Sequence, residues 1–233
     1  ALTISKATDG AFDVTVMPLV NAWGFGFKQG SLPTPTQIDS LRQFVGIDRI
    51  TLTPDSLLRK SDPRVMVDCG AIAKGYGVDR VAHVLRKHGV RNYMVEIGGE
   101  VVVKGRNPNG RPWQIGISKP IDDKSGQERE LQTVLSLQDC AVATSGNYRN
   151  FYVKDGHKYA HTIDPRTGQP VQHSLLSATV MAPDCATADA YATAFMVLGV
   201  EGAQKVLDKH KELRVYFIYE DTDGSLKVYR KGM

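Results

Sequence analysis

A chain of 233 residues with 42% hydrophobic and 23% charged residues can bury a sizeable core, and it contains no apolar run approaching a membrane span. The formal net charge of +4 comes from basic residues scattered along the chain, which argues against a dedicated nucleic-acid surface and suits an anionic ligand. Three cysteines, Cys69, Cys140 and Cys185, with no CxxC pair, make neither a zinc site nor a disulfide framework.

The chain opens at Ala1 with no initiator Met, signal peptide or lipid-attachment cysteine, so a processed or trimmed N-terminus is expected. Phe12, Val14 and Val16 alternate with Asp13 and Thr15, predicting a half-buried strand after the Asp9-Gly10 turn. Trp23 to Phe27 and the Pro33/Pro35 segment read as loop. Thr36 is placed to cap a helix running to about Val45, and residues 54–63 are polar and turn-rich. Val65 to Val67 predicts a short buried strand that turns at Gly70 into a helix opening at Lys74. Val78, Val81, Ala82 and Leu85 form its apolar stripe, and Gly89 stops it. Tyr93 to Ile97 and Val101 to Val103 read as strands around Gly98-Gly99, with Trp113 to Ile117 continuing the sheet. Residues 120–130 read as a mobile loop. Val142 to Gly146 leads into a hairpin, Tyr148 to Val153 and Lys158 to Ile163, around Asp155-Gly156. Helices follow at about Ala186 to Leu198 and Glu201 to Lys211, then a hairpin of Arg214 to Tyr219 and Leu226 to Tyr229. Long meanders with a few helices predict an α+β fold of mixed and antiparallel sheets, taken as one domain over 1–233.

Three stretches carry chemistry. In Val67 to Asp79, a strand ends at the Asp68 carboxylate and small residues lead to Lys74. A cation at the positive end of a helix is unfavourable by itself, so either a phosphate sits there or the lysine is merely solvated. In Asp184 to Phe195, Asp189 and Thr193 lie four apart on one face of an alanine-rich helix. They read either as oxygen ligands of Mg²⁺ shared with a phosphate, or as an exposed Asp and a Thr bonded back to the helix. In Lys158 to Gly168, His161 precedes an Asp-Pro turn and reads either as a base near neutral pH or as a structural strand histidine. Ser145 with His161 makes no convincing hydrolase, since no GxSxG is present.

Together these stretches resemble the ApbE-type FAD:protein FMN transferases, once described as thiamine-biosynthesis lipoproteins. The resemblance runs nearly end to end, through Thr8 to Val16, Trp23 to Gly26, Asp68 to Gly75, Glu96 to Glu100, Thr144 to Tyr148, His161 to Gly168 and Ala188 to Ala194. It implies Mg²⁺-dependent transfer of the FMN half of FAD to a threonine of an acceptor protein, with release of AMP. By match, Asp68 and Lys74 fall at flavin-nucleotide positions, and Thr8 lies in a segment lining the same cleft. The Ala71 backbone oxygen, Asp189 and Thr193 match the metal ligands, and His161 matches the base for the acceptor hydroxyl. The family further implies a lipid-anchored, inner-membrane, periplasmic enzyme whose acceptors are redox-pump subunits. Neither the anchor nor an early flavin-contacting strand of the family is recognised in the sequence as given, so the flavin pocket is expected to be incomplete as written. An FAD pyrophosphatase, or a non-catalytic periplasmic FAD-binding protein, are the competing functions.

Overall fold

In the computed structural model, which describes residues 1–26, 32–120, 130–147, 151–154 and 157–233, the centre is a six-stranded antiparallel sheet. Its order is β12-β11-β10-β7-β4-β3, where β3 is Tyr93–Ile97, β4 Glu100–Lys104, β7 Cys140–Gly146, β10 Leu175–Ala182, β11 Arg214–Glu220 and β12 Leu226–Lys231. Two long helices, α4 (Gly70–Lys87) and α5 (Cys185–Lys209), pack together on one face. That face offers Ala178, Val180 and Ala182 of β10, Ala143 of β7, and Val215 and Phe217 of β11 to the main core. Phe195 of α5 meets Phe217 edge-on at 5.5 Å between centroids, a pair that adds about 1 kcal/mol to its area burial. On the opposite face the β5/β6 hairpin, Trp113–Ser118 with Leu131–Leu137, covers Val101, Val103, Val142 and Met181.

Smaller elements flank these layers. Helix α1 (Leu2–Ala7) joins the main core through Ile4. Helices α2 (Met17–Ala22) and α3 (Pro35–Arg42) enclose a second cluster of Leu19, Trp23, Ile38 and Ile163. A short hairpin joins β1 (Ile50–Leu52) to β2 (Leu58–Lys60), and another joins β8 (Phe151–Lys154) to β9 (His157–Ala160).

The α+β expectation and the terminal hairpin hold, and several local readings are corrected. Phe12 to Val16 is not a strand. Asp13 Oδ1 accepts from the Thr15 N–H at 2.7 Å and from its hydroxyl at 2.6 Å, so a side chain takes the place of a ladder partner. Val65 to Val67 is not a strand, and although Val65 is buried, Met66 and Val67 are exposed. Helix α4 begins at Gly70, which puts Lys74 in its second turn rather than at its opening. Helix α3 is capped by Thr34 rather than Thr36, with the reciprocal Thr34/Gln37 capping box and Pro35 in its first turn. Trp113 to Ile117 pairs with β6 in a separate sheet instead of extending the main one. The two expected C-terminal helices are α5, broken at Gly199, whose φ of 67° and ψ of −179° are open essentially to glycine alone. Residues 121–129, 148–150, 155 and 156, with Phe27, lie outside the described residues, as do the expected loop, strand start and turn assigned to them.

Candidate active site

The helix pair sets one wall. A Cβ on Gly75 would lie 2.3 Å from the Cys185 carbonyl oxygen, so the crossing closes to backbone contact only because that residue is glycine. Asp79 of α4 accepts the N–H groups of Cys185 and Ala186, each at 2.9 Å, and Asp184 caps α5 by accepting from Thr187 N–H at 2.8 Å. The first turn of α5 is therefore fixed to the flank of α4. Ala188, Ala190, Ala192 and Ala194 are fully buried and keep α5 close to the sheet. One turn in, Asp189 is 1% exposed, and its Oδ2 accepts the Gly75 N–H at 3.0 Å. In an ideal helix that N–H points at the carbonyl of Ala71. Thr193 follows on the same face, its hydroxyl 3.3 Å from that of Ser145 on β7. This buried setting replaces the alternative of an exposed Asp with a back-bonded Thr.

Lys74 leans from α4 across the Gly98-Gly99 turn. Its Nζ lies 3.3 Å from Glu100 Oε1 and 3.7 Å from Asp189 Oδ1. Burial pushes the Glu100 carboxyl up, and the Lys74 charge pulls it part of the way back. With both carboxylates ionised, the cluster carries one negative charge more than Lys74 neutralises. Glu100 Oε2 is buried with no hydrogen-bond partner among the described residues. Asp68 joins the walls: its N–H donates to Val14 O at 2.7 Å, and its Oδ1 accepts from Gly70 N–H at 2.8 Å.

Between this wall and the opposite one lies a cavity of about 300 Å³ lined by Asp68, Ala71, Lys74, Ser145, His161, Asp189 and Thr193, with Ala11 to Val14 and Pro165 among the other contributors. The opposite wall is built from turns. Asp13, pushed up by burial and held down in part by Thr15, faces the cavity, and the Thr15 hydroxyl accepts from Gly46 N–H at 2.7 Å. His161 sits one residue beyond β9 in a bend, not within the strand, with its ring edge-on to Phe25 at 6.4 Å. The loop after it is tied down. Thr162 donates to Asn147 Oδ1 at 2.6 Å, Gly168 N–H to Asp164 O at 2.8 Å, and Trp23 Nε1 to Gly168 O at 2.7 Å. Thr8 is not among the lining residues. It is buried, donates to Ile4 O at 2.8 Å and accepts from Phe12 N–H at 3.2 Å, which braces the turn that forms the wall.

Six of the seven sequence candidates thus meet at one cavity, from three separated stretches of chain. Ser145, which the sequence offers only as an unconvincing partner of His161, lines the cavity too, and two residues that the sequence analysis does not name as candidates, Asp13 in the lining and Glu100 beside Lys74, complete the surroundings. The Asp-x-Thr pattern of an Asx turn marks Asp13, and an acid placed straight after Gly-Gly at the start of an apolar strand marks Glu100.

A family model described as ApbE family matches residues 1–217. Over 229 residues the chain is 45% identical to a Haemophilus influenzae protein named FAD:protein FMN transferase, the alignment covering 96% of this chain and 65% of that one. A Vibrio cholerae relative of the same name is 43% identical over 226 residues, covering 96% of this chain and 66% of the relative. The chain therefore spans just under two thirds of these relatives' length. The solved structure of the flavin transferase ApbE from Vibrio cholerae superposes with a TM-score of 0.87 at 41% identity, covering 100% of this chain and 72% of that one.

Proposed function

The chain belongs to the ApbE family, and on that footing we propose that it transfers the FMN half of FAD to a threonine hydroxyl of an acceptor protein and releases AMP. The observation that carries this reading is the convergence of Lys74, Asp189, Thr193 and His161 on one cavity. Phosphoryl transfer is mainly positioning and charge stabilisation, and these residues divide that work. Lys74 binds and orients the pyrophosphate. His161 accepts the proton of the threonine hydroxyl, whose oxygen forms the new bond to the FMN phosphorus. The bond from that phosphorus to the bridging oxygen breaks, and AMP departs with that oxygen.

The residues present fit Mg²⁺. The donors are hard oxygens, Asp189 is buried, and beside it Glu100 Oε2 is buried with no hydrogen-bond partner among the described residues. Asp189, Thr193 and the Ala71 carbonyl would hold the ion, which when bound offsets charge developing on the pyrophosphate. The proposal extends to a periplasmic, inner-membrane-anchored setting with redox-pump subunits, such as those of the sodium-translocating NADH:quinone oxidoreductase, as acceptors. None of the helices among the described residues is long and apolar enough to cross a membrane.

The test is to incubate the protein with FAD and Mg²⁺, with and without a threonine-bearing acceptor, following AMP release and acceptor mass. Transfer predicts AMP and a flavinylated acceptor in equal amounts. AMP with free FMN and no labelled acceptor would make the protein a pyrophosphatase, and FAD binding with no AMP would make it a flavin-binding protein.

A further inference from the structure

We propose that Glu100 is a positioning residue that holds Lys74 toward the ligand and away from Asp189, an inference that rests on the reading of Lys74 as a phosphate-binding group. Glu100 is the first residue of β4, directly after Gly98 and Gly99 with φ of 62° and 101°. A Cβ on Gly98 would come within 3.2 Å of Lys74 Cδ, so the lysine stem lies across the turn that delivers Glu100. The pair is asymmetric. The Glu100 side chain is 4% exposed and the Lys74 side chain 44%, so the protein fixes the carboxylate and leaves the ammonium at the cavity surface. Lys74 Nζ stands nearer Glu100 than Asp189, at 3.3 Å against 3.7 Å.

That order matters because both carboxylates compete for one ammonium. Without Glu100, Asp189 is the one carboxylate among the described residues that remains paired with Lys74. The lysine then closes onto Asp189 Oδ1, which occupies the oxygen a cation needs and withdraws the ammonium from the phosphate. Glu100 is not among the residues that line the cavity, and it acts only through Lys74.

The test is a double-mutant cycle on the whole chain, with Glu100→Gln, Lys74→Ala and the pair, titrated calorimetrically with FAD, with riboflavin and with Mg²⁺ alone. FAD affinity should fall about 5- to 20-fold in Glu100→Gln, the range of coupled neighbours, with Mg²⁺ affinity also lowered and riboflavin affinity within about twofold of wild type. In the Lys74→Ala background the same substitution should change none of the three by more than about twofold. An equal loss for riboflavin, an undiminished loss in the Lys74→Ala background, or wild-type affinity for FAD in Glu100→Gln would each overturn the proposal. Glu100→Asp keeps the charge but withdraws it by one methylene. It should give an intermediate FAD loss and carries the cycle should Glu100→Gln not fold. Wild-type protein that binds riboflavin and FAD equally well would remove the phosphate reading of Lys74 itself, and this proposal with it. Wild-type preference for FAD with fully additive losses would remove this proposal alone.

Discussion

On one side of the cavity Ala71, Lys74, Asp189 and Thr193 ride on two helices whose spacing is set by backbone contact at Gly75 and by Asp79 gripping the first amides of α5. On the other side Asp13 and His161 sit on turns held by single hydrogen bonds, some local, as from Thr15 N–H to Asp13, and some from distant loops, as from Thr162 to Asn147 and from Trp23 to Gly168. The helical wall places charge through elements that are far apart in sequence and cannot move separately. The turn wall places its groups through single hydrogen bonds rather than through packed helices. The first arrangement suits groups that must keep a fixed distance from one another, and the second suits a group that meets an incoming partner.

The sharpest way to break this contrast is Asp189→Ala. Mg²⁺-dependent turnover should disappear, while the helix persists because Ala is a good helix former. Losing the acceptor for the Gly75 N–H should cost about 1–3 kcal/mol in urea unfolding. Turnover that keeps its metal dependence would show that the helical wall does not hold the ion.

His161→Asn probes the turn wall. Transfer per folded, FAD-saturated molecule should fall about 10²–10⁴-fold, with FAD and Mg²⁺ affinity retained. If the ring only packs against its neighbours, thermal stability will drop instead and transfer will stay near wild type.

Gly75→Ala tests whether the helices move as one body. The added carbon meets backbone rather than a flexible side chain, so unfolding free energy should fall by about 1–3 kcal/mol, and FAD affinity should weaken with it because Lys74 and Asp189 shift together. Loss of stability with unchanged FAD affinity would uncouple the two.

The smallest effect concerns pH. Burial holds the Glu100 pKa above its ordinary value, so the folded state binds that proton more tightly than the unfolded chain. The stability this contributes is fully present below the unfolded pKa and fades as pH rises through the folded one. Glu100→Gln cannot titrate. Its Tm relative to wild type, measured without metal, should therefore climb as pH rises out of the carboxylate range, and a pH-independent difference would contradict the buried charge.

These contrasts also explain what the sequence discloses. Helix α4 has a long apolar stripe, and β3/β4 and β11/β12 flank Gly-Gly and Asp-Gly turns, so their patterns are local and readable. Strand β10, at the centre of the sheet, gave no signal. Ser177 to Ala182 are buried on both faces, and their small side chains erase the alternation that marks a half-exposed strand. At Phe12 to Val16 the opposite error arises, where true alternation is overridden by the Asp13–Thr15 turn. In the site, residue type, motif order and the family resemblance point to Lys74, Asp189 and His161, which line one cavity. The pairing of Lys74 with Glu100 exists only because β4 returns beneath α4, and no local pattern encodes that approach.

The closure at Gly75 has a mechanical consequence. Ala71 and Asp79, which share the Gly75 face one turn to either side, both carry a Cβ, so sliding either helix by a turn would bring a Cβ to the point where the Cys185 carbonyl leaves no room for one. The contact therefore works as a detent: α4 and α5 engage at one axial setting and resist creeping past it. Bending of the assembly under thermal agitation or on meeting a partner protein is then taken up elsewhere, and the backbone positions from which Lys74 and Asp189 project keep their spacing.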